Sequence, residues 1–313
     1  YLEIDLNQRK IQLKPIVSES LIGITPLMKL APLSKSLGAI NGGFFNRNTK
    51  MPLGAIKKDG KWLSNPILNR GAMAWNNQGN FVFDRLTLQQ SLILPSGEKI
   101  PLVSLNSGYI HSNGISRYNS DWGKTYTPLI NNENIIIVQE NKVISQPIVS
   151  GNQQAFDIPN NGYILSMRNN PQLANLFTVG TVLKIESITN PIDFENYPHI
   201  MGSGPLLIQK GKIVLDGKVE NFRDGFVKEK AIRAVIGITQ DNKLIIATIH
   251  HRAGGEGATF EETANIMQNM GVIEALTLDS GSSTSLYLGG ELINRSPGSA
   301  GRIHNGIGIF ISE

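Results

Sequence analysis

The sequence contains no cysteine. That excludes a disulfide framework and any thiolate metal site, and it suits an oxidising periplasm as well as a cytosol. No apolar run approaches the ~18 residues needed to cross a bilayer as a helix, so no membrane span is expected. Lys and Arg are never gathered into a block. The net charge of +4 is therefore mild and scattered, and nucleic acid is not implied as a partner. No break in composition marks a linker. The chain is read as one domain over residues 1–313 with an elaborated middle region.

What is present describes a globular protein with a substantial core: 313 residues, 40% hydrophobic and 17% charged. Thirty-two glycines point to many tight turns. Tyr1-Leu2-Glu3-Ile4-Asp5-Leu6 alternates like a strand, not like a secretory leader. The numbering begins without Met, so a removed leader and a periplasmic or secreted location are expected.

One stretch organises the rest. Ala275-Leu276-Thr277-Leu278 reads as a buried strand that stops at Asp279, and Ser280-Gly281-Ser282-Ser283-Thr284-Ser285 turns the chain into a second apolar run. A carboxylate at the end of a buried strand needs a partner. The small residues after it let backbone amides approach a ligand. An acidic cap on a turn of loop filler is the alternative. The stretch has no Lys for a phosphate-binding P-loop, and Ser282 lacks the flanking glycines of a nucleophile elbow.

Two further glycine-marked elements stand apart from it. Asn41-Gly42-Gly43-Phe44-Phe45-Asn46 is either a bulge with packed aromatics or a tight backbone turn beside a ligand, with Asn41 and Asn46 as polar contacts. Met201-Gly202-Ser203-Gly204-Pro205 is either a flexible entry to a strand or a backbone cradle. Between them lies a β-meander with a hairpin at Asp59-Gly60. Residues 104–125 read as a long loop with His111, Arg117 and Tyr118 on the surface. Residues 134–149 form a hairpin about Glu140-Asn141, and Pro171–Phe177 form a short helix. Residues 216–230 read as charged and mobile.

Arg233 is the single charge in an apolar strand, so it is at an edge, snorkelling outward, or buried beside an anion. The strand Lys243–Ile249 ends in His250-His251-Arg252, and the glycine loop Gly254-Gly255-Glu256-Gly257 follows. Thr259 and Glu262 form a capping box for a helix with Phe260, Ala264, Met267 and Met270 along its apolar stripe. Leu286-Tyr287-Leu288 and Glu291-Leu292-Ile293 make a tight hairpin at Gly289-Gly290. The last strand, Arg302–Phe310, is apolar enough to pair centrally. The resulting fold class is α+β, with a β-rich mixed-sheet core and a few helices.

In this order the motifs resemble the phosphodiester glycosidase family. The matching pieces are Ile40–Phe45, Gly204–Ile208, Arg233–Gly237, Thr259–Ala264, Leu278–Thr284 and Arg302–Gly308. Two positions depart from its pattern: Ser280 replaces the first Gly of Asp-Gly-Gly, and His250-His251 replaces Asp-Gly. The resemblance implies hydrolysis of a sugar C1–O bond with a phosphate monoester leaving, on a carbohydrate phosphodiester of a cell surface or extracellular glycan. Such a leaving group needs little acid assistance, so one carboxylate suffices where most glycosidases use two.

On this reading Asp279 is the general base or nucleophile, Arg233 holds the phosphate and His251 is a candidate acid. Asn41, Gly42, Gly43, Phe44, Asn46, Gly204, Gly281, Ser282, Ser283, Thr284, Arg302 and Asn305 contact the substrate. No cofactor or metal is implied, and the oligomeric state is open. The rivals are a non-catalytic glycan-binding module and a metal-dependent phosphodiesterase drawing on Asp279, His250, His251 and His304.

Overall fold

Short turns set much of the strand pairing. Asp59 and Gly60 adopt φ of 48° and 81°, the left-handed geometry of a hairpin turn that matches strand twist. They fold Ile56–Lys58 onto Lys61–Ser64. Glu140 and Asn141, at 50° and 62°, do the same for Glu133–Gln139 and Lys142–Ser145. Gly289 and Gly290 close the hairpin of Leu286–Leu288 with Glu291–Leu292. The computed structural model describes residues 1–8, 10–18, 20–151, 153–251 and 255–311. Arg252, from the expected strand end, and Gly254, from the expected glycine loop, lie outside the described residues.

Among the described residues strand makes up 43% and helix 12%, with four helices, so the expected β-rich α+β class holds. A six-stranded sheet runs in the order Leu2–Asp5, Lys243–Ile249, Arg233–Thr239, Val272–Thr277, Leu206–Gln209, Lys212–Ile213. One five-stranded sheet runs Ile11–Val17, Asn305–Ile311, Gly38–Asn41, Leu286–Leu288, Glu291–Leu292. The C-terminal strand does pair centrally, between Ile11–Val17 and Gly38–Asn41. A second five-stranded sheet runs Lys61–Ser64, Ile56–Lys58, His199–Gly202, Gly71–Trp75, Phe81–Arg85.

These three sheets share one apolar core. Ile4, Ile236 and Leu276 come from the first, Leu13, Ile40 and Ile307 from the second, and Ile56, Met73 and Trp75 from the third. Side chains alternate across a strand, so each sheet sends every second residue inward. Burial of each large side chain contributes ~1.5–3 kcal/mol. The helix Phe260–Asn269 covers the outer face of the six-stranded sheet through Phe260, Ala264 and Met267. Its capping box forms as the sequence implies: the Glu262 N–H donates to Thr259 Oγ1 and the Thr259 N–H to Glu262 Oε2.

The elaborated middle is a seven-stranded sheet with its own core of Leu92, Ile100, Ile136, Leu165 and Met167 among others. Two sequence readings are corrected here. Residues 104–125 are not one long loop, because Gly114–Asn119 is a strand pairing parallel with Lys99–Leu105 and antiparallel with Gly162–Arg168. Tyr118 is not on the surface but fully buried in a stacked pair with Tyr126. Its hydroxyl accepts from Arg168 Nη2 at 3.0 Å, which gives the phenol the partner that burial demands. His111 and Arg117 are half-buried. Residues 216–230 are equally poorly described as mobile: they contain the helix Asp224–Lys228 and a fully buried Glu220.

Candidate active site

The three sheets sharing the central core end together at one place. Val272–Thr277 runs out into Asp279. Gly38–Asn41 runs out into Gly42-Gly43, Asn305–Ile311 begins there, and His199–Gly202 leads into Ser203-Gly204. Backbone hydrogen bonds tie these ends to each other. The Asp279 N–H donates to Gly42 O at 2.9 Å, Gly204 N–H to Thr277 O at 3.0 Å, and Gly42 N–H to Asn305 O at 2.9 Å. The glycine-marked elements therefore meet beside the acid.

Asn41 and Asn305 hold the junction. Asn41 is fully buried. Its Nδ2 donates to Asp279 O at 2.6 Å, and its Oδ1 accepts from Ser285 N–H at 3.0 Å. Asn305 Oδ1 accepts from Gly43 N–H at 2.7 Å. His304 fixes that amide. Its Nε2 lies 2.8 Å from Leu21 O, which can only accept, so Nε2 carries the proton. Nδ1 is then free to accept from Asn305 Nδ2 at 3.0 Å. Burial holds His304 below the ordinary histidine range, in keeping with a neutral ring.

Glycine is required at 42 and 43 by close approach rather than by backbone angle. A Cβ on Gly42 would overlap Asn305 Oδ1, and one on Gly43 would overlap Gly202 O. The Ser280 departure is benign for a related reason. Ser280 is extended, at φ −114°, a conformation open to any residue, and its hydroxyl donates to Leu278 O at 3.1 Å. The left-handed residue of the turn is Gly281, at φ 66°.

The Asp279 carboxyl is half-buried. Burial pushes its pKa up to about 6, opposed by the Ser283 hydroxyl, the Ser280 N–H and the positive charge of Arg47. The Ser280 N–H lies 3.0 Å from Oδ1. The carboxylate is thus ionised at neutral pH yet basic enough to take a proton. No second carboxylate is among the groups that set its acidity.

Other expected residues are placed differently. Arg233 begins the strand next to the one that leads to Asp279, but its guanidinium is committed elsewhere. It is 1% exposed, donates from Nε to Ala258 O at 2.8 Å and from Nη2 to Glu229 O, and lies 3.9 Å from the centre of the Phe260 ring. Burial brings its pKa down to about 10, opposed by Glu229. It is buried against carbonyls and a ring, with the Glu229 carboxylate in electrostatic reach. His251 is exposed, and among the described residues no hydrogen bond or ion pair joins it to the acid. The half-buried His250 does connect to the serine turn: its Nε2 lies 3.3 Å from Asn294 Nδ2, which also reaches Thr284 O. Burial, Arg295 and His251 lower its pKa, in that order.

Thr284 is fully buried, its hydroxyl at 3.4 Å from Ile232 O. Ser282 O accepts from Gly301 N–H at 2.7 Å and from Arg295 Nη1 at 3.2 Å. Arg302 is exposed on a short strand paired with Thr25–Pro26. Asn46 Oδ1 accepts from the N–H groups of Asn48 and Thr49, which shapes the loop that carries Arg47. Among the described residues no three metal-ligating side chains converge.

Sequence reasoning missed Arg47, Arg70 and Arg295, the cations that border these elements. Arg47 is next to the quoted Asn41–Asn46 element and could have been read with it. Arg70 has no local signal. A concavity of about 990 Å3 lies elsewhere, between Asn131–Ile136, Gln146–Gly151 and Asn169–Ala174. It includes no residue of the Asp279 junction.

The sequence pattern of the phosphodiester glycosidase family matches residues 132–310. No curated protein shows significant similarity to the chain. A crystal structure of a hypothetical protein from Synechocystis is similar over 99% of this chain, at 41% identity and a TM-score of 0.96. The match covers 58% of that protein's chain, so this chain spans little more than half its length. A putative exported protein from Burkholderia pseudomallei K96243 has the same fold, with a TM-score of 0.80 and 18% identity over 98% of this chain and 72% of its own. The catalytic domain of zebrafish N-acetylglucosamine-1-phosphodiester alpha-N-acetylglucosaminidase overlaps more loosely, with a TM-score of 0.46 and 15% identity over 96% of this chain and 73% of its own. With more than half of its length matched by that pattern, the chain belongs to the phosphodiester glycosidase family.

Proposed function

We propose that the protein hydrolyses the bond between C1 of a sugar and the oxygen of a phosphate monoester, using Asp279 as the single carboxylate. The observation that carries this is the environment of that group. A half-buried acid, with its pKa near 6, sits where the ends of three sheets meet beside a turn of small residues.

Asp279 acts on the anomeric side, either taking a proton from water or attacking C1 itself. The leaving phosphate monoester is a stable anion, so a single carboxylate is compatible with turnover. The Ser283 hydroxyl and the Ser280 N–H hold the carboxylate oriented. Asn41 fixes the backbone that carries it. His250, linked through Asn294 to Thr284 O, is better connected to the turn than the exposed His251. Cell-surface or extracellular glycans are the proposed source of substrate, and a periplasmic or secreted location goes with them.

The test is turnover of a panel of sugar-1-phosphodiesters by the wild type and Asp279→Asn, with the released half analysed for phosphate. Free sugar and a phosphate monoester are expected from the wild type. The variant should lose at least about 10³-fold in kcat while remaining folded. Normal turnover by Asp279→Asn removes the assignment. Saturable binding with no sugar released by the wild type leaves a glycan-binding module instead.

A further inference from the structure

We propose that Arg70 is the receptor for the substrate's phosphate. Its guanidinium carbon lies 4.3 Å from the centre of the Phe222 ring and 5.3 Å from that of Phe44. The two rings meet edge to face at 5.9 Å. Phe44 directly follows Gly43, whose N–H is held by Asn305 at the Asp279 junction. Gly71, directly after Arg70, accepts at its carbonyl from Ser203 N–H at 2.9 Å. Arg70 is thereby attached to the wall of the site on both sides.

The chemistry of the guanidinium then decides what it is for. Stacking occupies the face of the cation and leaves its five N–H groups in the plane as a fork suited to phosphate. Arg70 makes no hydrogen bond through those groups to any described residue, and its Nε is buried without a partner. A buried unsatisfied donor costs ~1–3 kcal/mol, so the position is expensive unless something else fills it.

The carboxylate in electrostatic reach of Arg70, Glu220, is already occupied. It accepts from Gly71 N–H at 2.8 Å and Leu206 N–H at 3.0 Å, and pairs with Arg85 Nε at 3.3 Å. Glu220 and Tyr109 stand within electrostatic reach of Arg70 without bonding it. Burial lowers the Arg70 pKa, opposed by Glu220 and Tyr109.

The approach to Arg70 is also strained. Leu68 and Asn69 both have φ of 54°. The left-handed region is unfavourable for a residue as bulky as leucine, and such strain persists where surrounding structure insists on it. Asn221 Nδ2 holds Leu68 O at 3.3 Å, so the segment carrying Phe222 also fixes the turn that delivers Arg70. Arg233 has a different place in this scheme: its Nε and Nη2 serve main-chain carbonyls.

The identity of the anion rests on the glycosidase reading; the existence of the anion site does not. Calorimetric titration of the full chain with methyl phosphate, in a chloride buffer free of other oxyanions, tests it directly. Wild type and the control Lys99→Met should bind alike. Arg70→Met should bind at least tenfold more weakly. Arg70→Lys, which keeps the charge and loses the fork, should fall between them and raise KM more than it lowers kcat on any phosphodiester that is turned over.

If Arg70→Met unfolds, the Arg70→Lys comparison carries the test. Unchanged methyl phosphate affinity in a folded Arg70 variant, or no binding by the wild type at millimolar concentration, overturns the proposal and leaves Arg70 as a counter-charge to Glu220. Arg70-dependent binding without any sugar release would instead overturn the glycosidase reading alone.

Discussion

Asn41 and Asp279 are 238 residues apart in sequence and 2.6 Å apart in the fold, joined by a hydrogen bond from the Asn41 side chain to the Asp279 carbonyl. The same amide satisfies Ser285 N–H through its oxygen. One fully buried side chain thus pins both ends of the turn that holds the acid.

Replacing it should therefore cost both stability and activity. Asn41→Ala leaves a carbonyl and an N–H buried without partners, at ~1–3 kcal/mol each. A loss of about 2–4 kcal/mol is expected in urea unfolding. Activity per folded molecule should fall as well, because the acid is no longer positioned. A folded variant that keeps full stability would show that water replaces the amide and that the pin is dispensable.

The raised pKa of Asp279 sets a pH dependence with a definite sign. Its folded value is about 6, against ~3.9 for an exposed aspartate. Between those values the folded protein holds more protons than the unfolded chain, so stability falls as the pH rises through this window. Asp279→Asn removes that loss. After allowing for the solvent that reaches a half-buried group, the variant should be more stable than wild type by about 1–2 kcal/mol at pH 7.5. The gain should disappear near pH 3.5. Thermal unfolding of both proteins across the range checks it, and a gain at low pH instead of neutral pH contradicts it.

The seven-stranded sheet has its own critical polar pair. Arg168 Nε lies 2.9 Å from Glu133 Oε1, with both side chains fully buried. Glu133 also accepts from the Tyr126 and Ser166 hydroxyls at 2.6 and 2.8 Å. Glu133→Ala strands the guanidinium, at ~3–5 kcal/mol. The midpoint of denaturation should drop accordingly, while kcat per folded molecule stays unchanged because no residue of this network belongs to the Asp279 junction. A change in kcat without a change in stability would mean that the middle sheet communicates with the site.

What the sequence displayed clearly was whatever is written within a few residues. Asp59-Gly60, Glu140-Asn141 and Gly289-Gly290 announce hairpins because positive φ at a two-residue turn restricts the residue types. Thr259 and Glu262 announce a helix start because their hydrogen bonds are local. Asp279 was legible because a carboxylate closing an apolar run contradicts its surroundings. Tyr118 and Glu220 were misread because a polar residue among polar neighbours reveals its burial only when distant strands close over it. Arg233 was half legible: burial was one of three placements its apolar neighbours allowed, but its carbonyl partners at Glu229 and Ala258 could not be read. Arg70 was invisible, since the ring of Phe222 that defines it is 152 positions away along the chain.

The junction also bears on how this fold can be divided. The family pattern covers residues 132–310, which include the acid, Gly204, Asn305 and Phe222. Asn41, Gly42, Gly43, Phe44, Arg47 and Arg70 all precede it. A polypeptide cut down to the matched stretch would keep the reactive group and lose the strand Gly38–Asn41, which sits between Asn305–Ile311 and Leu286–Leu288. Gene fission anywhere between Arg70 and residue 132 would therefore part Asn41 from Asp279, and the junction would re-form only if the halves reassociate across that central strand.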